Sequence, residues 1–241
     1  MNASMMRRHD PAACRVATEL EILAETLPLD GAQVLELGCG RAWMTRRLAE
    51  DFPVARIVAT EVDRIQHERN LETTDLPRVD FRYGGAESID LPDGSVDCVL
   101  MLKSLHHVPV DLMAGALTGI RRVLVPGGLA YISEPVYAGA FNEILRLFND
   151  EKSVREAAFD TLQQAVSTGL FELAAEIFFE SPARYADWAE FEDRMLRVTH
   201  TAHRIDDALY GRIRAAFEKH LGPDGAEFLN PTRVDLLRRP Q

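Results

Sequence analysis

Several absences bound the reading before any motif is considered. No apolar run approaches the roughly 20 residues that a membrane span needs. The opening stretch, MNASMMRRHDPAAC, has two arginines but no apolar h-region behind them, so no secretory signal is expected. Cysteine is scarce: Cys14, Cys39 and Cys98 are odd in number and show no C-x-x-C spacing. Disulfides and thiolate metal sites are therefore not expected, and a reducing cytoplasm is the expected compartment. Basic runs are missing as well, since Arg121–Arg122 and Arg238–Arg239 are too short to form a patch. With a formal net charge of −11, the chain repels phosphate backbones, and neither nucleic acid nor a membrane is an expected partner. There is no internal repeat and no low-complexity linker.

What is present is ordinary globular material, 46% hydrophobic and 27% charged over 241 residues. That length suits one domain with a helical elaboration. Residues 10–27 place Val16, Leu20, Leu23 and Leu27 at helical spacing, so an N-terminal helix is expected within 1–29. Then the period changes. Short apolar, β-branched runs at 33–37, 55–61, 79–84, 96–102 and 128–134 are bounded by Gly, Pro or Asp and read as strands. Helix-like segments at 41–51, 64–71 and 111–124 separate several of them. This alternation predicts a doubly wound α/β fold with a mostly parallel sheet covered on both faces.

After Pro135 the pattern loosens. Residues 139–168 read as helix, broken near 149–153. FELAAEIFFE (171–180) fits either a strand or a helix, and the alternation with glutamates favours the strand. Trp188, Phe191, Met195 and Val198 predict one amphipathic helix; Leu209, Ile213, Phe217 and Leu221 predict another. GPDG (222–225) is a turn, and TRVDLLR closes the chain as a strand preceded by Pro231.

The informative stretch is VLELGCG (34–40), running straight into a helix. A strand ending in Glu36-x-Gly38-x-Gly40 before a helix lets backbone amides approach a ligand without side-chain obstruction. The acid argues against a phosphate, no Gly-Lys-Ser/Thr follows, and a dinucleotide fingerprint would have a third glycine where Trp43 stands. A ligand with a cationic or hydroxyl-rich end fits better. About twenty residues on, a second strand ends in Glu61, which can accept both hydroxyls of a ribose.

With YGGAESIDLPDGSVDCVLMLKSLHHV and RRVLVPGGLAYISEP following in order, the chain resembles the class I S-adenosylmethionine-dependent methyltransferases, in particular those acting on small molecules. The resemblance covers roughly 30–138, and the runs at 171–180 and 232–238 look like that family's final antiparallel pair. It implies a seven-stranded Rossmann-like sheet with a cofactor-binding core at 30–138. It also implies a helical lid at 139–222, interrupted by the strand near 171–180, and a final strand at 226–238. It implies S-adenosylmethionine as cofactor and a small-molecule methyl acceptor whose O, N, S or C atom is methylated. Glu36, Gly38 and Gly40 would line the methionine moiety, with Cys39 as a small packing residue between them. Glu61, followed by Val62, would take the ribose diol. Ala86 and Glu87 lie where the family lays adenine, and Lys103 begins the loop past the methionine end. In two places the chain departs from the pattern: Ala42 replaces the third glycine, and Gly85 falls where an adenine-binding Asp often sits. Either Glu87 substitutes for that Asp, or backbone and packing hold the base.

Methyl transfer requires alignment, and an oxygen acceptor also requires loss of its proton. His106 and His107, just past the fourth strand, and Glu134, ending the fifth, stand at the edge where ligands bind. For the histidines the alternative is a loop-fixing role, and for Glu134 a capping or solvated one. His200 and His203 fall in the expected lid, and His9 could reach over the pocket or lie on the surface. A metal reading of His200 and His203 lacks a third close ligand, and no metal is expected. Trp43 reads as core of its helix or a brace for the cofactor, and Asp97 as structural. Trp188, Phe191, Phe178 and Phe179 read as core or pocket wall. Three rival functions share the fold: a tRNA or rRNA methyltransferase, a protein that binds the cofactor without transferring methyl, and an enzyme that uses the same cofactor for other chemistry. Nothing in the sequence decides between monomer and homodimer.

Overall fold

The computed structural model describes residues 5–198 and 204–241. Its centre is the alternating segment. Strands β2 (Gln33–Leu37), β3 (Arg56–Glu61), β4 (Val79–Tyr83), β5 (Val96–Leu102) and β6 (Leu124–Pro135) are parallel. Helices α2 (Trp43–Asp51), α3 (Arg64–Leu71) and α4 (Val110–Val123) connect them. The long strands β7 (Glu172–Tyr185) and β9 (Gly225–Arg238) close the sheet antiparallel, in the order β7-β9-β6-β5-β2-β3-β4. These are the seven expected strands. Two more of only two residues, β1 (Arg15–Val16) on β7 and β8 (Leu221–Gly222) on β9, make nine among the described residues.

Neighbouring residues on each strand point to opposite faces, so two cores form. Val34, Ile57, Cys98 and Tyr131 face α1 (Glu19–Thr26) and α2, while Leu35, Val58, Val99 and Ile132 face α4 and α6 (Lys152–Ser167). Near-continuous apolar runs are what a sheet buried on both faces demands.

The N-terminal helix is shorter than its periodicity suggests. Asp10 caps a 3-10 turn at Pro11–Ala13, Arg15–Val16 pair with β7, and α1 begins only at Glu19. Val16 is exposed rather than on an apolar helix face. The competing local signal is a capping box: Thr18 Oγ1 accepts from the Glu21 amide while the Glu21 carboxylate takes the Thr18 amide.

Beyond Pro135 the helix breaks as expected, into α5 (Ala140–Leu145) and α6. The ambiguous run at 171–180 is a strand. The amphipathic helix expected from Trp188 onward is four residues of α-helix, α7 (Trp188–Phe191), followed by a π turn at Glu192–Leu196. Helix α8 (Asp207–Glu218) stops before Leu221, which pairs in β8 instead.

The register of β9 decides where this region sits. Its Thr232 pairs with Pro135, the last residue of β6, so residues 226–231 run on past the C-terminal edge of the parallel strands, still paired with β7. Tyr185, Trp188, Phe191, Phe217 and Phe228 form a separate small core on this extension. Ligands bind at that edge in open α/β sheets, and the aromatic core stands directly over it.

Candidate functional site

The turn after β2 is tied to β3: the amides of Gly38 and Cys39 both donate to the Thr60 carbonyl, at 3.0 and 2.9 Å. Gly38 has φ +77°, and a Cβ there would lie 3.0 Å from Ser104 Cβ, so conformation and close approach both call for glycine. Gly40 has φ +52° with open space where a Cβ would point. Its amide donates to Glu61 Oε2 at 2.7 Å, and Glu61 Oε1 accepts from the Val62 and Asp63 amides at 2.8 Å. Three amides thus hold a buried carboxylate at the end of β3. Asn70 Nδ2 donates to the Gly40 carbonyl at 2.8 Å and fixes the turn from α3.

The third-glycine position bears a cost. Ala42 sits at φ 54°, ψ 28°, the left-handed region, which disfavours L-residues by roughly 1–2 kcal/mol. Ala42→Gly is expected to stabilise the fold by about 1 kcal/mol once the added freedom of the unfolded chain is counted. A thermal melt checks it: Tm should rise by about 2–4 °C for a chain of this size, and a fall would contradict the strain.

Below the turn, Glu36 is buried, and Thr45 Oγ1 from α2 donates to its carboxylate at 2.5 Å. Burial pushes its carboxyl up to about 7, the Thr45 hydrogen bond opposes this, and the Glu61 charge adds to it. Cys39 is buried, and burial pushes its thiol up, which suits packing and not reactivity. Past β4, Ala86 is buried and the Glu87 carboxylate folds over Gly85, into the space a side chain at 85 would take. Val62 and Trp43 are exposed beside the turn, so Trp43 is not core of its helix: it opens α2 on the solvent side.

The other half of the site is a cavity of about 380 Å³, lined among others by Lys103, His106, His107, Phe141, Phe148 and Tyr185. Lys103 follows β5 at φ 56°, and its Nζ lies 3.6 Å from Glu19 Oε2. Glu19 Oε1 in turn accepts from the buried Tyr131 hydroxyl at 2.8 Å. His106 and His107 end a 3-10 turn, Leu105–His107. His106 is buried, with Nδ1 2.5 Å from Glu134 Oε2, and Glu134 Oε1 accepts from the Leu105 and His106 amides at 3.0 and 3.3 Å. Glu134 is thus neither solvated nor on the cavity wall; it stands behind His106. On the cavity side, His106 Nε2 lies 3.8 Å from Glu151 Oε2, which accepts from Arg155 Nη2 at 2.6 Å.

The fold therefore gathers Glu36, Gly38, Cys39, Gly40, Glu61 and Val62 at one strand edge, with Gly85, Ala86 and Glu87 at the neighbouring one. Lys103, His106 and His107 meet at the cavity. Trp188, Phe191, Phe178 and Phe179 are buried in core, and the wall is built from other aromatics. His9 packs edge-on against Phe178, ring centroids 6.3 Å apart. Asp97 Oδ2 accepts from the Gln33 amide at 2.8 Å, tying β5 to β2. His200 and His203 lie outside the described residues. Sequence reasoning missed Thr45, Glu151, Arg155 and Tyr185. Of these, only Thr45 had a local signal, one helical turn into α2 beneath the glycine turn.

Residues 34–128 match a family described as a methyltransferase domain. The chain is 33% identical over 107 residues to a protein named as a probable S-adenosylmethionine-dependent methyltransferase of Mycolicibacterium smegmatis, covering 44% of this chain and 38% of that one. It is 37% identical over 111 residues to the 27-O-demethylrifamycin SV methyltransferase of Amycolatopsis mediterranei, covering 44% and 40%. The matched stretch thus spans less than half the length of these curated relatives. Among solved structures, the YcgJ protein of Bacillus subtilis shares the fold with a TM-score of 0.62 at 16% identity, over 92% of this chain and 98% of that one. The glycine turn and the acid ending β3 both fall within the matched stretch: residues 34–128 form a methyltransferase domain, similar in sequence to S-adenosylmethionine-dependent methyltransferases.

Proposed function

We propose that the protein transfers a methyl group from S-adenosylmethionine to a small acceptor held in the cavity between the sheet edge and the aromatic extension. The observation that carries this reading is adjacency. Lys103 and Ser104 leave β5 beside the glycine turn, Ser104 Oγ donating to the Leu37 carbonyl at 2.9 Å. Two residues on, His106 opens into the cavity. A cofactor seated over Gly38–Gly40 faces that cavity.

When bound, S-adenosylmethionine supplies a sulfonium methyl that passes to the acceptor as the S–C bond breaks and its electron pair stays on sulfur. The chain's own residues bind, align and exclude water. Glu61, already oriented by three amides, keeps one lone pair, on Oε2, for a ribose hydroxyl. Glu36 lies under the methionine end. Glu87 takes the place of the adenine-side acid, its carboxylate over Gly85. On the acceptor side His106 and His107, backed by Glu134, form the end of the cavity where the reacting atom is activated. Residues 139–222 act as the lid. Phe141 and Tyr185, stacked nearly parallel at 6.1 Å, form an apolar wall that selects a partly apolar acceptor. The 27-O-demethylrifamycin SV methyltransferase and the ubiquinone biosynthesis O-methyltransferase of Xanthomonas campestris, 30% identical over 117 residues, support a small oxygen acceptor.

Acceptor-dependent formation of S-adenosylhomocysteine across a panel of hydroxylated small molecules tests this. Phe141→Ala should raise KM for a good acceptor roughly 10-fold with kcat little changed, the mark of lost uniform binding. Cofactor binding with no product from any acceptor would instead favour a binding protein without transfer activity.

A further inference from the structure

Local sequence offers no third metal ligand near His106 and His107, but the fold brings one from 44 residues away. We infer that His106, His107 and Glu151 form a binding site for a divalent transition-metal ion of the zinc and cobalt type, at the wall of the cavity. One ligand atom from each residue lies within 4.8 Å of the other two. His106 Nε2 and Glu151 Oε2, at 3.8 Å, are already close to the separation of about 3.4 Å that two donors adopt on a tetrahedral ion with bonds of about 2.0–2.1 Å.

The surrounding shell is the kind that orients metal ligands. An ionised carboxylate only accepts, so the contact of Glu134 Oε2 with His106 Nδ1 places the ring proton on Nδ1 and leaves the Nε2 lone pair toward Glu151. A histidine ligand held by a carboxylate through its other nitrogen is the usual arrangement at such ions. Glu151 is fixed in the same way: Arg155 donates to Oε2 from Nε at 3.1 Å and Nη2 at 2.6 Å, and Asn149 Nδ2 donates to Oε1 at 2.8 Å. Of the charged groups bonded directly to His106 and Glu151, two are carboxylates, Glu134 and Glu151, and one is a guanidinium, Arg155, while Lys103 and Arg194 line the same cavity. His107 is exposed and gives the ion a path in from solvent. Two imidazoles and one carboxylate select zinc-like ions over magnesium or calcium. Three protein ligands leave a coordination position open to the cavity, as at catalytic and not structural sites. The ion's use, Lewis acidity at the acceptor's reacting atom, rests on the proposed function; its binding does not.

The test is titration of the tag-free protein with Co²⁺ alone, followed by visible absorption. A band saturating at one ion per chain and bleached by Zn²⁺ is expected. His107→Ala and Glu151→Gln should each weaken it at least about 10-fold. No band at millimolar Co²⁺, or one that both variants retain at wild-type affinity, overturns the inference, the latter because the ion then binds elsewhere. S-adenosylhomocysteine titration on the same samples separates the possibilities. Retained binding in the variants shows an intact fold. Failure in the wild type would sink the cofactor reading and leave the ion site to stand or fall on its own band.

Discussion

Replacing His106 with Asn is expected to lower kcat about 10²- to 10⁴-fold, the range for removing a side chain that activates the acceptor, by taking its proton or by holding an ion that polarises it. Asn keeps a donor near Glu134 Oε2, so the buried carboxylate is not left without its partner. Affinity for S-adenosylmethionine should be unchanged, because the cradle is built from the ends of β2, β3 and β4 and does not use the 3-10 turn. Steady-state kinetics with a calorimetric titration checks both halves. A parallel loss of cofactor affinity and helical signal would show that His106 only fixes the loop, and unchanged kcat would remove it from the acceptor side.

The second large effect concerns Glu36. A carboxyl pushed up to about 7 keeps its proton in the folded protein across a range where the unfolded chain has lost it. The native state then binds more protons than the unfolded state between about pH 4.5 and 7, so this group's contribution to stability falls as pH rises through that window and levels off above it. Glu36→Gln keeps the shape and an oxygen to accept from Thr45 while removing the charge. It is expected to match wild type near pH 4.5 and to exceed it at pH 8 by on the order of 2–3 kcal/mol. Denaturant melts at the two pH values measure this. Cofactor affinity should run the other way: S-adenosylmethionine carries cationic groups, and an ionised Glu36 attracts them. Wild-type binding should tighten from pH 6 to 8 more than Glu36→Gln binding does. Equal pH profiles for the two proteins would place Glu36 away from the ligand.

How much of this was legible in the chain depends on distance along it. Strands β2 and β5 and helix α3 fall where their periodicity and flanking punctuation put them, because a buried parallel strand is a local, continuous apolar run. The Glu36–Gly38–Gly40 turn and Glu61 are legible for the same reason: each ends a strand, and the sheet brings strand ends together. The helix over 10–27 fails because Pro11 and the Thr18–Glu21 capping box outweigh a spacing that Val16 satisfies by chance. Of the two readings of Trp43, the core one fails because bulk and helical spacing say nothing about which side of α2 the glycine turn presents to solvent. The acceptor wall was out of reach. Phe141, Glu151, Arg155 and Tyr185 come from three separate places: β9 running past the end of β6 carries Tyr185, α5 packs on β9, and α6 packs on the 3-10 turn of His106. Periodicity reports one element at a time and none of this packing.

The most direct test is calorimetric titration of the wild type and Glu61→Ala with S-adenosylmethionine and S-adenosylhomocysteine. With the cofactor seated over Gly38–Gly40, the wild type binds both ligands, and Glu61→Ala weakens each by roughly 10-fold or more, about 1.4 kcal/mol. Binding that Glu61→Ala leaves untouched, or no binding of either ligand by a folded wild-type protein, would contradict that placement.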